Sequence, residues 1–198
     1  DNALAIGGLL AHRLGGPSVH PPQPDKLWRE ISGIVDPNYP TSMGRDRYRR
    51  GVYVILRRGA PFPSLINFDA PSRAVCTSSR VRTNSPLQAL NLLNDPVFVE
   101  AAEGLARRIM TGRPHAALRE RARYAFRLCV AREPDQQEID AALGVYETML
   151  NRLQSNPAMT SELLTAGAVP SGIDAGELAA WFFVANTLLN LDETVTKR

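Results

Sequence analysis

Hydrophobic positions change rhythm near residue 84, and from there they recur every three or four residues. Ser85 before Pro86 marks a helix start: an oxygen-bearing cap, then a residue whose missing N–H is harmless in the first turn. Leu87, Leu90 and Leu93 continue at helical spacing. Asp95-Pro96 repeats the device, with Val97, Phe98, Ala101, Leu105, Ala106 and Ile109 on one side and Gly112 closing the run. Residues 114–130 carry Leu118, Ala122, Ala125, Phe126 and Cys129 on a single side. Glu133-Pro134-Asp135 opens a further helix whose stripe is Ile139, Leu143, Tyr146, Met149, Leu150 and Leu153. A connector over 157–173 is expected to hold a short helix at 162–166, and a last helix to span 176–194. Residues 178–191 are the longest apolar segment, broken by Asn186, Thr187 and Asn190, and they read as a buried core helix.

Residues 1–83 follow no such period. Four prolines and two glycines within 15–24 exclude helix and favour an extended path. Asp25 is a cap for a short helix over 25–31, with Leu27, Trp28 and Ile31 on its apolar side. The β-branched and aromatic centre of residues 49–58 favours a strand. Residues 60–82 are a long loop anchored by Phe62, Leu65, Ile66, Phe68 and Val75. The expected fold is therefore mainly α: a helical bundle over 84–198, an irregular Pro/Arg-rich wrap over 1–83 and little β, together one domain. Trp181, Phe182, Leu188, Leu189, Phe126, Leu143, Tyr146 and Leu90 are its expected core. The opening residues lack an initiator Met, a basic leader and a cleavage pattern, and they read as the second half of a helix. A fragment of a longer protein is expected.

Composition narrows the chemistry. No run of about 18 apolar residues occurs, so no transmembrane helix is expected. The net charge is +3, too mild for a dedicated nucleic-acid binder, but 21 of the 23 basic residues are arginine. A GC-rich genome accounts for such a bias; so does a demand for bidentate pairing with carboxylates or phosphates. Between Arg45 and Arg82 stand nine arginines and two acids, Asp46 and Asp69, with Tyr48, Tyr53, Phe62 and Phe68 interleaved. Two readings stay open. The arginines strap the loop to bundle acids such as Glu100, Glu103, Glu120, Asp192 and Glu193. Alternatively, Arg73, Arg80 and Arg82 with Asp69 bind an anionic ligand, a polysaccharide before a nucleic acid.

Catalytic and cofactor motifs are missing. His12, His20 and His115 have no His or Cys partner at ligand spacing, so no metal site is expected. Cys76 and Cys129 form neither CxxC nor CxxCH, which leaves no haem attachment in this chain. The Gly-Gly pairs at 7–8 and 15–16 fit neither a P-loop nor a dinucleotide fingerprint. Gly-x-Ser-x-Gly is absent, and Ser78-Ser79 has no base nearby.

Four phrases carry a family resemblance. They are Gly15-Gly16-Pro17-Ser18-Val19 with Gln23-Pro24 and Leu27-Trp28; Phe68-Asp69-Ala70-Pro71-Ser72-Arg73 with Cys76-Thr77; Arg82-Thr83-Asn84-Ser85-Pro86-Leu87-Gln88-Ala89-Leu90 with Leu93-Asn94-Asp95-Pro96; and Leu189-Asn190-Leu191-Asp192-Glu193. Together, over nearly the whole chain, they resemble the planctomycete domain of unknown function that closes large exported proteins. Ser85 stands where Thr is more usual, a trivial change for a cap. The resemblance implies export, neighbouring domains in the parent protein and haem in an upstream cytochrome c-like domain. It carries over no catalytic residue. The reading is a non-catalytic structural or interaction module. Its alternatives are a module that binds or processes an anionic extracellular polysaccharide and, after that, a nucleic-acid binder.

Overall fold

The structure, a computed structural model, describes residues 1–23, 39–57, 59, 61–72, 75–79, 83–164 and 169–196. The helix expected over 25–31 lies outside them, as does the end of the one expected over 162–166. Nine α-helices occur among the described residues. They are α1 (Asn2–Ile6), α2 (Pro63–Asn67), α3 (Pro86–Asn94), α4 (Pro96–Gly112), α5 (Leu118–Val130), α6 (Gln136–Ser155), α7 (Pro157–Leu163), α8 (Ala175–Leu189) and α9 (Asp192–Val195). The fold is mainly helical, as its periodicity predicts, and there is no sheet among the described residues.

Helix starts follow their caps. Ser85 accepts from the Gln88 N–H while the Gln88 side chain accepts from the Ser85 N–H, a reciprocal box that satisfies two orphan donors. Asp135 and Glu138 do the same for α6, one residue beyond the Pro134 that sequence marks. Asp95 caps α4 and Asp174 caps α8. The connector helix begins earlier than foreseen, because Pro157 supplies a first-turn residue. The expected last helix is two: α8 ends at Leu189, and α9 starts after Leu191.

α8 is the axis of the bundle. Being apolar all round, it must be covered all round. It packs chiefly on α4 and α6, with α3, α5, α7 and α9 completing the shell. Trp181 is fully buried at its centre, its ring 5.1 Å from that of Tyr146 on α6. Phe126, Tyr146, Trp181, Phe182, Leu188 and Leu189 are all buried, as expected. Leu143 is half-buried and packs on that core. Leu90 is not core at all, being 58% exposed. Gln88 and Leu92 take the inward positions of α3 instead, which turns Leu87, Leu90 and Leu93 outward together.

The strand expected over 49–58 does not form. Gly51–Tyr53 is a 3-10 turn, and single parallel bridges join Ala11 to Arg49 and Val19 to Val54. A ladder needs a run of donors opposite, and the facing segment is interrupted by Pro17, Pro21 and Pro22. The wrap instead meets the bundle at discrete points. α1 lies across α4, where Arg108 donates to the Ile6 carbonyl at 3.0 Å and satisfies the end of α1. Asn2 Nδ2 donates to the Thr194 carbonyl at 2.8 Å, which ties α1 to α9. On the far side, Arg132 bonds both Glu138 and Glu193, at 2.6 and 2.7 Å, and so links α6 to α9. Those bonds from Arg132 hold the Glu138 carboxyl down at about 2, well below the usual range.

Candidate functional site

Where the wrap leaves the bundle surface, a hollow of about 510 Å³ opens between α1, the turns at 44–53, α2, α3, α4 and α9. Its wall is largely apolar, with Leu4, Phe62, Leu65, Phe68, Leu92 and Phe98 among the contributors. Phe68 and Phe98 meet with ring centroids 5.5 Å apart, closing one side. At the α2 side, Ser64 donates to the Asp95 carboxylate at 3.2 Å, while Asp95 accepts from the Val97 N–H at 2.9 Å. Burial raises the Asp95 carboxyl above its ordinary range, and these hydrogen bonds oppose the rise.

Two arginines stand in the wall. Arg47 reaches across from the wrap to pair with Glu100 of α4. Tyr48 beside it is pushed up by burial first and by the Glu100 charge second. Arg49 is 3% exposed and bonds no carboxylate among the described residues. It donates to the carbonyls of Pro17 (3.0 Å), Arg13 (3.3 Å) and Gly15, and it stacks 3.7 Å from the Tyr53 ring centroid. The Gly15 N–H donates back to the Tyr53 hydroxyl at 2.8 Å. This clamp holds a turn that only glycine adopts freely, since Gly15 and Gly16 have φ of +71° and +92°.

Sequence singles out four site residues. Asp69 is described; Arg73, Arg80 and Arg82 lie outside the described residues. Asp69 takes a left-handed φ of +56° at the rim of the hollow, between Phe68 and Ala70 of its wall. Its carboxylate accepts from both the N–H and the hydroxyl of Thr83, each at 2.8 Å. Gln88 completes the knot. Buried at 1% exposure, it donates to the Asn67 carbonyl at 2.7 Å and to the Thr83 hydroxyl at 2.9 Å. One amide thus joins the end of α2, the Asp69 turn and the start of α3. Next to it, the Asn84 side chain bonds Asp192 on α9.

The signature phrases are therefore joints. The first is the turn clamped by Arg49 and Tyr53. The second and third meet at Asp69, Thr83 and Gln88. The third and fourth meet at Asn84 and Asp192. Sequence reasoning passes over Arg49 and Gln88. Ser85-x-x-Gln88 is itself a capping-box signature, and the pair of aromatics flanking Arg49 was the available sign of a stacked guanidinium. Among the described arginines of the wrap, Arg47 meets a bundle acid, Glu100, as a strap requires, whereas Arg13 and Arg50 meet acids of the wrap itself, Asp46 and Asp1.

Among the described residues no group of three or more His, Cys, Asp or Glu stands close enough to hold a metal ion. No described helix is long and apolar enough to cross a membrane. Cys76 is exposed, Cys129 is buried, and they are not bonded to each other. Set against known families, residues 1–146 match the model described as PSD1, protein of unknown function (DUF1553). Three of the four phrases lie in the matched stretch and the fourth beyond it, along with α8. No curated protein and no solved structure matches the chain.

Proposed function

This chain belongs to the PSD1 family of proteins of unknown function (DUF1553), and from that premise we propose that it is a non-catalytic interaction module, docking on neighbouring domains of a longer exported polypeptide. The observation that carries this is the outward face of α3. Leu87, Leu90 and Leu93 are 57%, 58% and 45% exposed, and Ile66 of the adjoining α2 is exposed too. Large apolar side chains in one row, on a helix held rigidly from behind by Gln88 and Leu92, mark an interaction surface. The joints described above support the same reading, because they employ the signature residues in holding shape.

The variant Leu87→Glu/Leu90→Glu tests it. In the isolated chain these exposed changes should shift stability by no more than about 0.5 kcal/mol each. In the longest natural polypeptide containing the chain, cross-links between α3 and the neighbouring domain should be lost. Cross-links retained by the variant, or absent from the wild type, would count against docking through α3. Binding of the isolated chain to a sulfated or uronate polymer would favour the polysaccharide alternative through Arg73, Arg80 and Arg82.

A further inference from the structure

We infer that the hollow beneath the wrap is a binding site for a neutral aromatic small molecule, held by ring contacts and apolar burial. The volume of about 510 Å³ falls within the roughly 300–1,000 Å³ of small-molecule sites, and a mostly apolar wall is the usual make-up of such sites. Ligand charge is decided by the polar side chains of the described wall, each of which is already engaged within the protein. Asp1 accepts from the Gly51 N–H at 2.6 Å, and Asn2 donates to the Thr194 carbonyl at 2.8 Å. The Thr194 hydroxyl donates to the Leu188 carbonyl at 2.8 Å, and Ser64 to Asp95 at 3.2 Å. Arg47 pairs with Glu100. Arg49 is enclosed by the Tyr53 ring and the carbonyls of Arg13, Gly15 and Pro17, none of which lines the hollow. Nε of each arginine has no acceptor, but it also has no accessible surface for a ligand to reach. A charged ligand would therefore lose hydration here without gaining a counter-charge. The wall offers apolar contact instead, from Phe62, Phe68 and Phe98 above all. The rings of Phe68 and Phe98 are tilted by 51°, so a flat guest cannot lie parallel to both. It meets one by the face and the other nearer its edge, the arrangements that aromatic pairs prefer. Leu92 lines the hollow from the inner side of α3, opposite the exposed leucine row, so the site does not depend on the docking reading.

Titration of the chain with N-phenyl-1-naphthylamine, a neutral dye that brightens in apolar surroundings, tests this. The dye should bind once per chain. Among competitors on one carbon skeleton, 1-naphthol should displace it best. Decahydro-1-naphthol, which lacks the aromatic rings, should be roughly two- to tenfold weaker, and naphthalene-1-sulfonate at least about tenfold weaker for its unmatched charge. Val52→Trp places bulk at the mouth of the hollow, at a position already exposed, so its melting should match the wild type while dye binding falls at least about tenfold. Leu87→Glu/Leu90→Glu, on the far side of α3, should bind the dye as the wild type does. No dye binding, displacement by the sulfonate or the saturated alcohol as good as by 1-naphthol, wild-type affinity in folded Val52→Trp, or loss of binding in the α3 variant would overturn the assignment.

Discussion

Trp181→Ala should cost about 3–5 kcal/mol, the largest effect of any single truncation in the chain. Trp181 has no exposed surface, stacks on Tyr146 and sits mid-way along a helix covered on every side. The walls that would have to close the cavity belong to α4 and α6, which are themselves fixed by contact with α8 along its length. Collapse is therefore incomplete, and the cavity adds to the lost transfer energy. Chemical denaturation measures it directly. A midpoint unchanged from the wild type would show that α8 is not the axis of the core.

Gly104→Ala and Gly144→Ala should act in opposite directions, although both lie inside helices. An exposed helical glycine replaced by alanine gains roughly 1 kcal/mol, because alanine loses less backbone entropy. Gly144 on α6 meets this case: it is exposed, and nothing lies near an added Cβ. Gly104 on α4 does not. A Cβ there would stand 2.5 Å from the Gly7 carbonyl oxygen and 3.2 Å from Leu9. A Cβ on Gly7 would meet the Ala101 carbonyl at the same 2.5 Å. Both obstacles are backbone, so relief requires α1 to move off α4, and overpacking of that kind costs roughly 1–3 kcal/mol. Thermal melts of the two variants check the signs; stabilisation by Gly104→Ala would mean that α1 does not press on α4.

The bundle was legible in the sequence because its signals are local. Ser85-Pro86, Asp95-Pro96 and Pro134-Asp135 name helix starts through cap chemistry, and residues 178–191 name the central helix by being apolar on all sides. Leu90 was misplaced because α3 is short, so periodicity fixes its stripe but not which way it turns. Its orientation comes from Gln88, whose amide is needed 21 residues back at Asn67. The strand failed for a related reason. Residues 49–58 have strand composition, but the segment opposite is proline-broken and cannot form a ladder. The candidate site was the least legible. Charge counting in the loop drew attention to Arg73, Arg80 and Arg82, whereas Arg49 gains its importance from a glycine turn more than thirty residues earlier. No pattern within a window of sequence contains that contact. The family phrases located the joints without revealing their partners.

Native-state hydrogen exchange at three wrap amides tests most directly whether those joints fasten the wrap to the bundle. Val19 N–H donates to the Tyr53 carbonyl and Ala70 N–H to the Leu65 carbonyl, each at 2.8 Å and each within a signature phrase, and Ala11 N–H donates to the Tyr48 carbonyl at 2.9 Å four residues before the first phrase. If the phrases are fasteners, these amides open only when the bundle does, and their exchange free energies should equal those of Trp181 and Val184 in α8 and fall in parallel with denaturant. Wrap amides exchanging several kcal/mol below the α8 amides, with little denaturant dependence, would show a wrap that detaches by itself and would contradict the account.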